Sequence, residues 1–157
     1  MELVPSVVST TLADVPDTAR IVLYRGQIAL VGKPDARDAQ RTRWLATYDS
    51  QAARFVRNLP EAYHEVLAIA GKYVIEPDLS SAPVGDRLGP AAKSQLFMRG
   101  PAPCVVVHPN GFAGWRVFDL IEGSMATSTE TDTLSFTRWK IGVLGVGGSP
   151  QWILEVK

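Results

Sequence analysis

Short apolar runs, most of them alternating with polar residues, recur along this chain and are separated by clusters of glycine, proline, asparagine and serine. Residues 19–32 read ARIVLYRGQIALVG, two runs of Ile, Val and Leu around Arg25-Gly26, where the glycine can take the positive φ of a tight turn. This predicts a β-hairpin. Thr42, Trp44, Ala46 and Tyr48 then alternate with Arg41, Arg43, Leu45 and Thr47, which predicts a third strand with one charged face. A competing stripe at spacings of three and four, Leu45, Tyr48, Ala52, Phe55 and Leu59, would suit a buried helix face. The strand is the preferred reading as far as Tyr48.

Beyond it, Asp49 or Ser50 can cap a helix by accepting a backbone N–H, and residues 51–57 are mostly competent helix formers. Asn58, Pro60 and Glu61 resemble a second helix start, Tyr63, Val66, Leu67 and Ala70 form one apolar face, and Gly71 is a plausible stop. The expectation is therefore a helical segment over residues 50–71.

Residues 76–103 contain Pro77, Pro83, Gly85, Gly89, Pro90, Gly100, Pro101 and Pro103, which break up any long helix or central strand. They read as a long connection with one short element around residues 91–98. Because structureless loops longer than about 12–15 residues are uncommon and often functional, this segment is the leading candidate for a binding loop or lid. Residues 104–107 and 115–121 flank the turn composition His108-Pro109-Asn110-Gly111, and residues 134–146 and 151–156 flank Gly147-Gly148-Ser149-Pro150. These give two further hairpins, with residues 122–133 as an exposed polar loop between them. The sum is one α+β domain over residues 1–157. It has a mostly antiparallel sheet of about six or seven strands, three hairpins and the helical segment near residues 50–71.

Composition adds limits. With 157 residues, 46% of them hydrophobic and 20% charged, the chain is an ordinary globular one that needs no disulfide or metal staple. Sixteen basic and sixteen acidic side chains cancel, so no global field draws it to nucleic acid, which is an unlikely partner on this ground. The first ten residues carry no Lys or Arg and only a short apolar stretch around Val4, Val7 and Val8, unlike a secretory leader. No apolar run reaches the roughly 18 residues of a membrane span. A single cysteine, Cys104, suits a reducing compartment, and the cytoplasm is the expected location.

Candidate chemistry is sparse. Cys104 and His108 could act as nucleophile and base, but on a regular strand they lie about 13 Å apart, so a core cysteine and a turn histidine are expected. His64 has no second histidine or cysteine at metal-ligand spacing, and no metal is assigned. The glycines of IGVLGVGGSP are read as a hairpin turn with bulges or close backbone approaches, because an apolar, strand-like run follows where a phosphate loop needs a helix N-terminus. Arg37, Arg41, Arg43, Arg54 and Arg57, near Trp44, Tyr48 and Phe55, could bind phosphate and stack on bases, but Asp35, Asp38 and Asp49 interleave and a solvated face is preferred.

One scattered constellation remains: Tyr24-Arg25-Gly26 at a strand end, Thr127-Ser128-Thr129 in the polar loop, and Glu155 on the last strand. These fragments resemble the arginine, serine-containing and glutamate motifs of arginine-type ADP-ribosyltransferases. The resemblance implies that Arg25 holds the dinucleotide phosphates, Ser128 supports the nicotinamide half, and Glu155 orients a ribose hydroxyl and stabilises an oxocarbenium-like transition state. The sequence departs from the pattern at Ile153, where a second glutamate or glutamine is expected, and in having Thr-Ser-Thr for Ser-Thr-Ser. The preferred function is instead a non-catalytic binding or protein-interaction domain without a cofactor, taking a protein or small ligand at the Pro/Gly-rich loop. On that reading Arg25 flanks a turn and Glu155 faces solvent.

Overall fold

A computed structural model describes residues 6–34, 43–52, 54–58, 64–80, 84–87, 96–99, 101–108, 116–127 and 132–157. These residues form β structure throughout, with two short 3-10 turns and no α-helix among them. In chain order the strands are β1 (Ser6–Thr11), β2 (Ile21–Tyr24), β3 (Gln27–Val31), β4 (Leu45–Asp49), β5 (Arg54–Asn58), β6 (Glu65–Ala70), β7 (Tyr73–Pro77) and β8 (Val84–Arg87). They continue as β9 (Leu96–Arg99), β10 (Ala102–His108), β11 (Arg116–Asp119), β12 (Met125–Thr127), β13 (Asp132–Phe136), β14 (Trp139–Leu144) and β15 (Pro150–Val156). Twelve strands make one mixed sheet along the path β1-β6-β2-β3-β4-β5-β10-β9-β13-β8, with β11 and β12 branching from β10. Strands β15, β14 and β7 form a second sheet. Every pairing is antiparallel except β5 with β10.

The α+β expectation is thus wrong, and the helical segment at residues 50–71 is where it fails. Asp49 does accept backbone N–H bonds, from Gln51 at 3.0 Å and Ala52 at 3.2 Å. The same capping chemistry serves here to turn the chain from β4 into β5, as Asx side chains do in tight turns. Tyr48 and Phe55, members of the helical stripe, face each other across the β4–β5 pair with ring centroids 5.1 Å apart. In β6, Val66 and Ala68 point to one face while Leu67 and Ile69 point to the other. The spacing of three and four seen in the sequence is the overlap of two buried faces. Residues 59–63, the expected second helix start, lie outside the described residues.

The Pro/Gly-rich span and the polar loop also hold more structure than expected. The first contains β8 and β9, and the second contains β12 and the start of β13. The hairpins around Gly26 and Gly148 are present as β2–β3 and β14–β15. Strands β10 and β11 pair as expected, while their connection at residues 109–115 lies outside the described residues.

Both faces of the large sheet are covered around β2, β3 and β4, which explains why β4 has no charged face. On one face Ile21, Leu30, Ala46, Phe55, Ile69, Val105 and Val107 pack against Trp139, Ile141, Val143 and Val156 of the second sheet. On the other, Leu12, Val15 and Ala19 cover Val22, Ala29, Val31, Leu45, Val66 and Ala68. Covering a sheet with an irregular segment buries carbonyl groups that need donors. Two buried arginines supply them. Arg43, 1% exposed, donates to the carbonyls of Gly32 at 2.8 Å, of Val15 and of Pro16 at 3.3 Å. Arg20 donates to those of Asp17 and Ala19 at 2.7 Å, Ile121 at 3.1 Å and Glu122 at 2.9 Å. Tyr73, on β7, ties the sheets together: its hydroxyl donates to the Ile69 carbonyl and accepts from the amides of Arg20 at 3.0 Å and Ile21 at 3.3 Å.

In the second sheet the register shifts between Ile141 and Gly142, and a Cβ placed on Gly142 would lie 2.2 Å from the Gln151 carbonyl oxygen. The close approach expected of these glycines is present, and it involves backbone that cannot swing aside. Gly142→Ala is expected to lower the unfolding free energy by about 3 kcal/mol, the upper range for overpacking a core. Urea denaturation measures it, with Gly147→Ala, whose Cβ meets nothing within 4 Å, as the comparison that carries only the cost of a positive φ.

Candidate functional site

The second sheet ends in a cavity of about 910 Å³, lined where β7 and β15 finish and β14 begins. Its geometry follows from the register. Trp139 lies opposite Pro77 on one side and Val156 on the other, and Lys140 lies opposite Glu76 and Glu155. Because side chains alternate between faces, this end of the sheet carries an apolar row, Pro77, Trp139 and Val156, turned toward the core. The row Glu76, Lys140 and Glu155 is turned the opposite way. The backbone continues one step further, with the Asp78 amide donating to the Arg138 carbonyl at 2.9 Å. Leu79, 78% exposed, and Ser80 also line the cavity.

The charges are arranged in pairs. Lys140 Nζ is 3.8 Å from Glu76 and also sits 4.2 Å over the ring centroid of Trp152. Lys157 Nζ is 3.7 Å from Glu155. Asp78 Oδ1 accepts from the amide and hydroxyl of Ser80 at 2.9 and 2.6 Å. Among the described residues Arg138 makes no ion pair, so its guanidinium is the cationic group of the cavity wall left to meet a ligand. Chemically the cavity offers an apolar floor, one available fork of N–H donors and a lysine fixed by an acid and an indole ring.

Of the residues singled out from sequence, Glu155 lines this cavity, exposed and paired with Lys157. Arg25 lies elsewhere, at the tip of the β2–β3 hairpin. With φ of 50° at Arg25 and 76° at Gly26, the two form the paired left-handed loop that matches strand twist, and the guanidinium stacks 5.2 Å from the Tyr24 ring centroid. Ser128 lies outside the described residues. Arg25 and Glu155 thus sit on different sheets, and Arg25 is not among the cavity's described lining.

Cys104 is buried on β10 with Phe97, Val106 and Val117, as expected of a packing residue. His108 is the buried last residue of the same strand, so the expectation of a turn histidine is corrected. His64 is half-buried with its Nδ1 3.3 Å from the Tyr24 hydroxyl. Among the described residues no three His, Cys, Asp or Glu side chains converge as a metal site would require. In the arginine-rich stretch, Arg43 is committed to buried carbonyls, and Arg37 and Arg41 lie outside the described residues. No helix among the described residues is long and apolar enough to cross a membrane.

Sequence reasoning missed Arg138, Trp139 and Lys140. The signal was present in the alternation of residues 134–146, but which face met the core, and which strand ends met each other, depended on pairing β14 with β7 across more than 60 residues of chain. No protein-family model, curated protein or solved structure matches this chain.

Burial, reinforced by the negative charge of Asp119, pushes the Cys104 thiol up to about 11 from an ordinary 9.0. The folded chain therefore holds its proton more tightly than the unfolded one. The corresponding stability is complete below about pH 9 and is lost as the pH rises to about 11. Burial also raises the phenol of Tyr73, which acts in the same direction at alkaline pH. Urea unfolding across this range is expected to show a smaller alkaline loss in Cys104→Ala than in the parent chain. The native thiol should stay inert to a bulky disulfide reagent at neutral pH.

Proposed function

We propose that the chain is a non-catalytic binding domain whose cavity at the end of the second sheet takes a small ligand or a peptide end. The cavity itself carries the proposal: at about 910 Å³ it lies in the size range of sites for small organic ligands, and its lining sets Pro77, Leu79, Trp139 and Val156 beside a rim of acidic and basic side chains. Arg138 specifies the ligand's chemistry. A fork of guanidinium N–H groups beside an apolar floor suits a carboxylate or phosphate attached to a hydrophobic body. Asp78, Leu79 and Ser80 contribute the beginning of the Pro/Gly-rich span, the segment that sequence alone favoured for recognition. A cytoplasmic location belongs to the same proposal, supported by the single buried thiol of Cys104.

The ADP-ribosyltransferase-like alternative is favoured by one observation, that Glu155 borders the cavity. It needs a dinucleotide-phosphate anchor, which the resemblance assigns to Arg25 at the β2–β3 turn.

The test is a titration of the purified protein with short-chain and aromatic carboxylates and phosphates, followed by amide and indole nitrogen–proton spectra. Saturable shifts at Trp139 and Arg138 are expected. Arg138→Ala should weaken binding about 10- to 100-fold, the loss of a charge-assisted hydrogen bond, while leaving stability within about 0.5 kcal/mol. Shifts spread over the surface, or binding indifferent to Arg138→Ala, would refute the site. Release of nicotinamide from a dinucleotide that Glu155→Gln abolishes would instead establish the enzymatic alternative.

A further inference from the structure

Five strands have an unpaired side among the described residues: β1, β8 and β12 in the large sheet, and β7 and β15 in the second. An open edge presents free N–H and C=O groups to any other chain, and proteins blunt such edges with charge, proline, glycine or brevity. Four of the five are blunted. Strand β8 carries Gly85, Asp86 and Arg87; β12 is three residues long; β7 ends in Glu76 and Pro77; β15 starts at Pro150 and carries Glu155.

Strand β1 differs. Its sequence, Ser-Val-Val-Ser-Thr-Thr, holds no charge, proline or glycine, and all six residues are in register with β6, so the strand runs without a bulge. Val7 and Val8 point to opposite faces, yet they are 61% and 44% exposed, and Leu67, opposite Ser9 on β6, is 40% exposed. Apolar, β-branched side chains at the rim of both faces are what a neighbouring strand would cover.

We infer that the outer edge of β1 is a docking site for an extended, uncharged segment of a partner protein, which adds to the large sheet as one more strand. Two physical arguments choose this occupant. The edge is about 20 Å long at about 3.3 Å per residue and, with a sheet spacing of about 10 Å, offers on the order of 200 Å². That is well below the roughly 800 Å² per partner of a stable rigid dimer, which disfavours a second folded copy, whereas an added strand gains its main-chain hydrogen bonds along the whole edge. A charged segment would place unpaired charge against Val7 and Val8, so the segment is apolar or hydroxyl-bearing where it faces them.

The side chains that suit β1 are already shown by β6, its antiparallel partner on the other side. The probe is therefore a peptide with the uncharged sequence of residues 66–70, Val-Leu-Ala-Ile-Ala, carrying two lysines at each end, outside the pairing stretch, for solubility. Titrated into the full chain, it is expected to shift the amides of β1 saturably with a Kd below about 1 mM. Val7→Lys and Val8→Lys, at exposed positions that tolerate charge, should each weaken it at least tenfold, on the order of 1.4 kcal/mol. Both variants should keep the parent circular dichroism and melting behaviour. Leu79→Lys, in the cavity of the second sheet, should leave the peptide's affinity unchanged, which separates this edge from that site. The inference is overturned if the peptide fails to bind at about 1 mM, or binds equally to the β1 variants. It is likewise overturned if binding is lost in Leu79→Lys. Concentration-dependent dimers that Val8→Lys abolishes, without peptide binding, would make the occupant a second copy and overturn it too.

Discussion

The structure depends on the burial of one face of the large sheet beneath the three-stranded sheet. Trp139, Ile141 and Val143 of β14 form a row of side chains that can only leave water by meeting Phe55, Phe118 and Val105 across the gap. Burying large aromatic and branched side chains contributes roughly 1.5–3 kcal/mol each. This contact requires β14 to lie between β7 and β15, and that position in turn brings the ends of three strands together around the cavity. The proposed site is a consequence of the core.

Polar groups then adapt to the apolar arrangement. The segment through Leu12, Val15 and Ala19 must lie over the opposite face of the large sheet, and an irregular segment in that position cannot satisfy its own carbonyls. Arg20 and Arg43, just before β2 and β4, solve this, each guanidinium forking among several carbonyl oxygens. Removing either would strand several acceptors at once, because unpaired buried carbonyls cost far more than a paired one gains. Tyr73 does the same work between sheets, with one hydroxyl serving β6 and β2 from β7.

Charge is distributed by the same logic. The acids and bases around the cavity are paired, Glu76 with Lys140 across β7 and β14 and Glu155 with Lys157 two residues on along the chain, and exposed pairs of this kind contribute little to stability. Lys140 sits between Glu76 and the Trp152 ring. The edges follow a related division: the second sheet's edges carry charge and proline, and β1 carries neither.

The sequence by itself determined the local features that obey one period and one turn. The hairpins at Arg25-Gly26 and Gly147-Gly148 were legible because positive-φ chemistry and flanking apolar runs are local properties. Cys104 was legible as core for the same reason, lying within an unbroken apolar run. Tertiary structure alone decided whether residues 50–71 are helix or strand, since Asp49 caps a turn as well as a helix, and a segment buried on two faces mixes two period-2 patterns into an apparent helical one. It also decided the partners of β8 and β9, short strands set among glycines and prolines that read as loop until neighbouring strands supply hydrogen bonds. The cavity residues Arg138, Trp139 and Lys140 acquire their setting only when β14 meets β7, because pairing across a long stretch of chain is set by which faces can be buried together and leaves no local mark.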